Sequence, residues 1–201
     1  MALSRIAAAA LALSFTALAQ DAKPPVRIRG VVEKLDGSVL TLKTREGTRA
    51  TVKLSDDATV AGVVPASLGD VTPGKYIGTA THGQRDGALV ALEVVIFPES
   101  MRGFSEGHFP WDLRPESMMT NATVADVVAA AKDRVLTLRY KDGEKKVYVP
   151  EKAPIVTFTS ADRSALTPGA RVFVGAAQRQ PDGTFAAKRI NVGLKGLAPP
   201  M

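Results

Sequence analysis

The sequence is constrained most by an internal repeat, because a repeat fixes how many related units must fold. Three short motifs return in the same order at an offset of 95 or 96 residues: VLTLK at 39–43 and VLTLR at 135–139, Thr-Pro-Gly at 72–74 and 167–169, and Asp-Gly at 86–87 and 182–183. Landmarks that keep their order and spacing indicate one unit written twice. We therefore expect two related structural units within the 201 residues.

Each copy consists of short alternating segments separated by turns. Asp36-Gly37 lies between two such segments and predicts a hairpin, because glycine accepts the positive φ that tight turns require. The predicted strands are 27–35, 39–44, 50–54, 75–81 and 88–97 in the first copy, and 122–128, 135–140, 145–149, 170–176 and 185–192 in the second. By propensity, the alanine-rich run 124–131 could also form a helical turn.

The predicted fold class is all-β, with two tandem OB-like barrels of five strands each. Five strands with a longer link between the third and the fourth are typical of a small Greek-key barrel of the OB type. We expect the first barrel at 20–96 and the second at 121–194. A connector at 97–120 would join them, and a C-terminal tail would follow at 195–201.

Residues 1–19 have the pattern of an export signal. Arg5 supplies a positive charge, an apolar stretch follows at 6–18, and Ala17-Leu18-Ala19 is a small-x-small cleavage pattern. An uncleaved helical anchor is the alternative, although the apolar stretch is shorter than the roughly 20 residues of a membrane span. We therefore predict a periplasmic or secreted protein that does not span the membrane and has envelope or extracellular partners.

The composition and motifs of the sequence argue against an enzyme. There are no cysteines, which excludes disulfides, thiolate metal sites and thiol nucleophiles, and only two histidines, His82 and His108. No nucleophile elbow, phosphate loop or histidine-rich zinc motif is present. The net charge of +6 suits anionic surfaces, but the aromatic residues are not clustered with lysine or arginine as in nucleic-acid sites. We expect a non-enzymatic protein that does not bind nucleic acid.

The connector at 97–120 concentrates the residue types that bind soft metals. It contains Met101, Met118, Met119, His108 and the single tryptophan, Trp111. Thioether sulfur and imidazole together favour Cu(I), and a tryptophan face can hold a cation. We therefore predict that these five residues are candidate contacts for Cu(I). Adjacent strand residues point to opposite faces, so Met118 and Met119 could not both bind one ion from an extended backbone.

Two resemblances extend these predictions. The paired motifs around 39–42 and 72–74 resemble a bacterial family of exported proteins with paired OB-like repeats, which is catalogued as a domain of unknown function. In the connector, the order His108, Trp111, Pro115-Glu116, Met118 resembles periplasmic copper and silver chaperones. That second resemblance implies His108, Trp111 and Met118 as metal contacts, with Met101 or Met119 as a further donor. This sequence departs from the chaperones in its spacing and in its adjacent methionines.

The sequence is therefore compatible with three functions. The first is binding of a soft metal ion at the connector. The second is a structural or interaction module of the cell envelope without a metal site, in which the aromatic residues and methionines of the connector pack the two barrels together and an outer surface engages an envelope protein or polymer. The third is binding of an oligosaccharide on a barrel face, which OB folds support.

Overall fold

A computed structural model describes residues 24–130 and 133–201, and the predicted export signal lies outside these ranges. The predicted all-β class is confirmed, because the described residues form strands, turns and four short 3-10 turns. The strands are β1 (Val26–Asp36), β2 (Val39–Thr44), β3 (Arg49–Pro65), β4 (Tyr76–Arg85), β5 (Ala88–Ala91), β6 (Val94–Ile96), β7 (Gly107–Pro110), β8 (Met118–Ala130), β9 (Asp133–Tyr140), β10 (Gly143–Tyr148), β11 (Ile155–Ser160), β12 (Arg171–Arg179) and β13 (Phe185–Gly193).

Five strands close into a barrel, which we call barrel A. Strands β1, β2 and β3 pair in antiparallel order, β12 pairs with β1, and β13 closes the ring by pairing in parallel with β3. Leu40 and Leu42 are fully buried in its core, whereas Lys43 is exposed. Alternate residues of a strand face opposite sides, so the repeated VLTLK motif places one apolar face in the core.

A second ring of pairings, ring B, is formed by β4, β8, β9, β10 and β5. Each strand pairs with the next, β10 pairs in parallel with β5, and β5 returns to β4. Leu136, Leu138 and Val147 are fully buried inside it. Strand β11 pairs with β3 and with β6, and β6 pairs with β4, so a continuous sheet joins ring B to barrel A.

The strands of the two rings differ from the predicted tandem arrangement. Barrel A combines β1–β3 with β12 and β13 from the far end of the chain. The five strands of ring B all lie within the intervening run from β4 to β10. The bounds 20–96 and 121–194 therefore do not delimit either ring. Strand β3 also differs from the prediction, because it extends to Pro65 whereas the sequence predicts that it ends at residue 54. Its second half, which is rich in β-branched residues, pairs with β13 inside barrel A and with β11 outside it.

The two Thr-Pro-Gly turns make equivalent contacts. The backbone N–H of Gly74 donates to the Val124 carbonyl oxygen at 2.8 Å, and that of Gly169 donates to the Val32 carbonyl oxygen at 2.8 Å. Both glycines have positive φ values, 86° and 88°, which favour glycine over residues with a Cβ. Each turn thus holds a strand from the other half of the chain.

The predicted connector at 97–120 contains β7 and the start of β8, which form a hairpin at the edge of ring B. Strand β7 pairs with the first residues of β8, and Pro110 ends β7. A proline is compatible with β7 because this strand lies at the edge of the sheet order. Across the described ranges, no helix reaches the length and apolarity that crossing a membrane would require.

Candidate functional site

The loop between β7 and β8, residues 111–117, is a compact structure that we call the arm. The Trp111 N–H donates to the Ser117 carbonyl oxygen at 2.8 Å and closes the loop. The Ser117 hydroxyl lies 2.7 Å from the Arg114 carbonyl oxygen and accepts from the Arg114 N–H at 3.2 Å. Because Ser117 is almost fully buried, these bonds give the arm a defined shape.

Three arginines of barrel A hold the arm. The contacts are the Arg27 guanidinium 3.8 Å from the centroid of the Trp111 ring, Arg29 Nη2 2.9 Å from Asp112 Oδ1, and Arg45 Nη1 3.2 Å from the Leu113 carbonyl oxygen. The charges of Arg29 and Arg27 also lower the pKa of Asp112, against the opposing effect of its partial burial, which is the largest single influence. The arm is therefore a projection of ring B that docks on barrel A.

Trp111 packs into a cluster of apolar side chains where barrel A and ring B meet, which we call the seam. The seam contains the buried residues Val63, Val95, Val156, Phe173 and Met201, with Phe97, Trp111, Phe158 and Leu197 packed against them. Two residues of the predicted C-terminal tail, Leu197 and Met201, thus contribute to it. Because the Arg27 guanidinium lies over the Trp111 ring, the contacts that the ring makes are those of packing, and its role as a metal contact stays a prediction.

The structure brings His108 and Met118 onto one face of the β7–β8 hairpin. His108 pairs directly with Thr120, and Pro110 pairs with Met118. Residues two apart on a strand share a face, so His108, Thr120 and Met118 lie on the same side as diagonal neighbours. His108 Nδ1 lies 2.8 Å from Thr120 Oγ1. The side chains of His108 and Met118 are half-buried, and that of Thr120 is fully buried.

The other two predicted methionines are placed apart from this pair. Met119 alternates with Met118 on the extended strand β8 and points to the opposite face, where it is 4% exposed. Met101 lies in the 3-10 turn Glu99–Met101, which is fixed by the Arg102 guanidinium at 2.7 Å from Glu99 Oε2. Strand register therefore supports Met118 alone as a sulfur partner for His108.

Burial, with the neighbouring ammonium of Lys145, lowers the pKa of His108. The imidazole is therefore neutral at neutral pH, which is the form that binds a metal ion. In the tautomer whose Nδ1–H donates to Thr120, the lone pair of Nε2 is free for a ligand.

Glu93 is a candidate functional residue that no sequence motif marks. It lies between β5 and β6, is fully buried, and within the described residues neither carboxyl oxygen has a hydrogen-bond partner. Burial raises its pKa to about 8, while the Arg29 guanidinium opposes that rise. A single carboxylate in the apolar run 88–97 was the signal available in the sequence.

A surface groove of about 370 Å³ lies on ring B beside β8 and β9. It is lined by Glu106, Thr123, Val124, Ala125, Arg139 and Tyr140. Its walls are partly fixed, since Glu106 Oε1 accepts from the Lys141 N–H at 3.0 Å and Thr123 Oγ1 from Arg102 at 3.3 Å. If an oligosaccharide binds on a barrel face, this groove is the candidate binding surface.

Comparisons with protein-family models, curated proteins and solved structures find no match to this chain. In the part of the chain that the structure describes, no three His, Cys, Asp or Glu side chains are grouped as they would be around a metal ion. A candidate metal site therefore depends on the pairing of imidazole with thioether.

Proposed function

We propose that this is a non-enzymatic binding protein of the cell envelope that holds one Cu(I) ion between His108 Nε2 and Met118 Sδ. The observation that carries this proposal is the hydrogen bond between His108 Nδ1 and Thr120 Oγ1 on the face that Met118 shares. Histidines that bind metals usually donate their other ring N–H to a neighbouring acceptor, which fixes the tautomer and the orientation of the ring.

The donor types select the ion. Thioether and imidazole favour Cu(I), and by the same softness Ag(I), over hard cations such as Mg²⁺ or Ca²⁺. The positive charge of Lys145 acts on His108, so a monovalent ion meets less repulsion there than a divalent one. Met118 is an unbranched and adaptable side chain, which can adjust its sulfur to the ion.

The test is a calorimetric titration with Ag(I), an air-stable substitute for Cu(I). We expect saturable binding of one ion per chain that Met118→Leu and His108→Asn each weaken at least tenfold. Met119→Leu is the matched control, because the adjacent methionine faces the other side of β8 and should leave the affinity unchanged. Equal losses in the two methionine variants, or no binding at micromolar Ag(I), would contradict the proposed site.

A structural or interaction module without a metal site is the second candidate. The docking of the arm through Trp111 favours it, because this contact fixes ring B on barrel A without any ligand. In that case the outer surface would engage an envelope protein or polymer. A flat Ag(I) titration, together with strong destabilisation by Trp111→Ala, would support this function over metal binding.

Two further proposals concern location and architecture. The export pattern at 1–19 supports a periplasmic or secreted protein with a cleavage site after Ala19. The internal repeat and the equivalent contacts of Gly74 and Gly169 support two OB-like units that have exchanged their last strands. The parallel closures agree with this, since Val52 pairs with Phe185 in barrel A and Val147 pairs with Leu89 in ring B.

A further inference from the structure

Arg29 is a charged residue of barrel A that contacts the arm, the seam and the C-terminal residue. Its side chain is 11% exposed, its Nε donates to the backbone oxygen of Met201 at 2.5 Å, and its Nη2 donates to Asp112 Oδ1 at 2.9 Å. Its guanidinium also lies 5.0 Å from the centroid of the Phe173 ring. One guanidinium therefore joins the arm to barrel A and to the seam.

Glu93 is fully buried two residues before Val95, which packs in the seam with Phe173, the ring beside the Arg29 guanidinium. Burial raises the pKa of Glu93, and the positive charge of Arg29 opposes that rise. Two further arginines lie beside the seam: Arg27 pairs with Asp112 at 3.7 Å, and the guanidinium of Arg189 on β13 lies 5.4 Å from the centroid of the Phe158 ring. Strands β3, β6, β11 and β12 contribute apolar side chains to the seam.

We propose that the arm is a pH-dependent latch, in which ionised Glu93 draws the Arg29 guanidinium away from Asp112 and so releases residues 111–117 from barrel A. While Glu93 is protonated, Arg29 is free to pair with Asp112, and the arm is docked. When Glu93 loses its proton to solvent, an unpaired carboxylate is left in an apolar site, which is strongly unfavourable. Pairing with Arg29 compensates that charge, and Asp112 then loses its closest partner.

The single tryptophan allows a direct test, because Trp111 is in the arm. Emission of the purified protein would be recorded from pH 6 to 9.5. We expect a shift to longer wavelength with a midpoint near pH 8, as Trp111 leaves the seam and meets water. Glu93→Gln keeps a neutral side chain of the same shape and should abolish the transition. Asp112→Asn should give the shifted emission across the whole range.

Two controls separate the latch from unfolding and from other titrating groups. Burial raises the pKa of Tyr76 to about 12, and that of His108 is lowered, so both groups titrate outside the range of the test. Hydrogen exchange of residues 111–117 should accelerate across pH 8, after correction for the intrinsic rate, while exchange in β2 and β9 stays slow. An alkaline transition that persists in Glu93→Gln, constant emission of the wild type, or simultaneous acceleration in all strands would overturn the proposal.

Discussion

The guanidinium of Arg27 lies 3.8 Å above the ring of Trp111, so a residue of the first strand covers the side chain on which the arm docks. Cation–π contacts of this kind contribute about 0.5–2 kcal/mol, depending on how well the pair is shielded from water. Because the covering cation belongs to barrel A and the ring belongs to the hairpin of ring B, this contact helps to fix the two rings relative to each other.

Trp111→Ala should lower the free energy of unfolding by about 2–4 kcal/mol, which is somewhat less than for a fully buried tryptophan because the ring is half-buried. The measurement is urea denaturation followed by circular dichroism. Phe104→Ala is the control, since that side chain is 57% exposed and should change stability by less than about 0.5 kcal/mol. Similar effects of the two substitutions would contradict the docking role of Trp111.

Gly74→Ala and Gly169→Ala should each cost about 1–2 kcal/mol, because both positions need a positive φ that alanine adopts poorly. An added Cβ would meet no atom within 4 Å at either glycine, so the cost comes from the backbone alone. Gly69→Ala is a suitable control, because its φ is not positive and the nearest atom lies at 3.5 Å. Losses that differ by more than about 1 kcal/mol between Gly74 and Gly169 would argue against equivalent turns.

Glu93 should make the protein less stable as the pH rises from about 4.5 to about 8. The unfolded carboxyl ionises near its ordinary pKa of 4.5, whereas burial holds the pKa of the folded one near 8. Between these values the folded state binds more protons, so stability falls by at most about 1.4 kcal/mol per pH unit and levels off above pH 8. Urea denaturation of Glu93→Gln at pH 5, 6, 7 and 8 should lack this slope, and an unchanged slope would show that another group causes it.

The affinity for Ag(I) should be constant from pH 8 to about 6.5 and should fall only in more acidic solution. Burial and Lys145 lower the pKa of His108 below 6.5, and a protonated imidazole cannot bind the ion. Below that pKa we expect about a tenfold loss per pH unit, measured by calorimetry. A loss that begins above pH 7 would show that the binding nitrogen is not that of a buried His108.

The sequence predicts which face of a strand is apolar more reliably than it predicts which other strands that strand pairs with. The motifs at 39–43 and 135–139 place Leu40, Leu42, Leu136 and Leu138 inward, and all four are fully buried. Local alternation carries that information, because side chains alternate along any strand. That alternation does not say which strands pair: the sequence predicts a connection after residue 54, whereas β3 continues to Pro65 and pairs there with β11 and β13.

For the candidate site too, the sequence predicts the local features but not the contacts that depend on strand pairing. The composition of residues 97–120 correctly marked an unusual segment, but it could not separate Trp111, which packs in the seam, from His108 and Met118, which share a face of the hairpin. That separation depends on strand register. Glu93 is not singled out by the sequence, because its full burial depends on the tertiary fold, which its neighbours in sequence do not encode.

Along the sequence, the strands of ring B lie between the first three and the last two strands of barrel A. This order constrains how the chain can fold. Strands β1, β2 and β3 emerge from the ribosome before the other strands, but their barrel cannot close until Arg171–Arg179 and Phe185–Gly193 have followed. Meanwhile β3 and β1 present unpaired backbone edges, the kind of surface that invites aggregation. Ring B, which is continuous in sequence, can assemble during that interval. The last strands to emerge are therefore those that complete the first barrel.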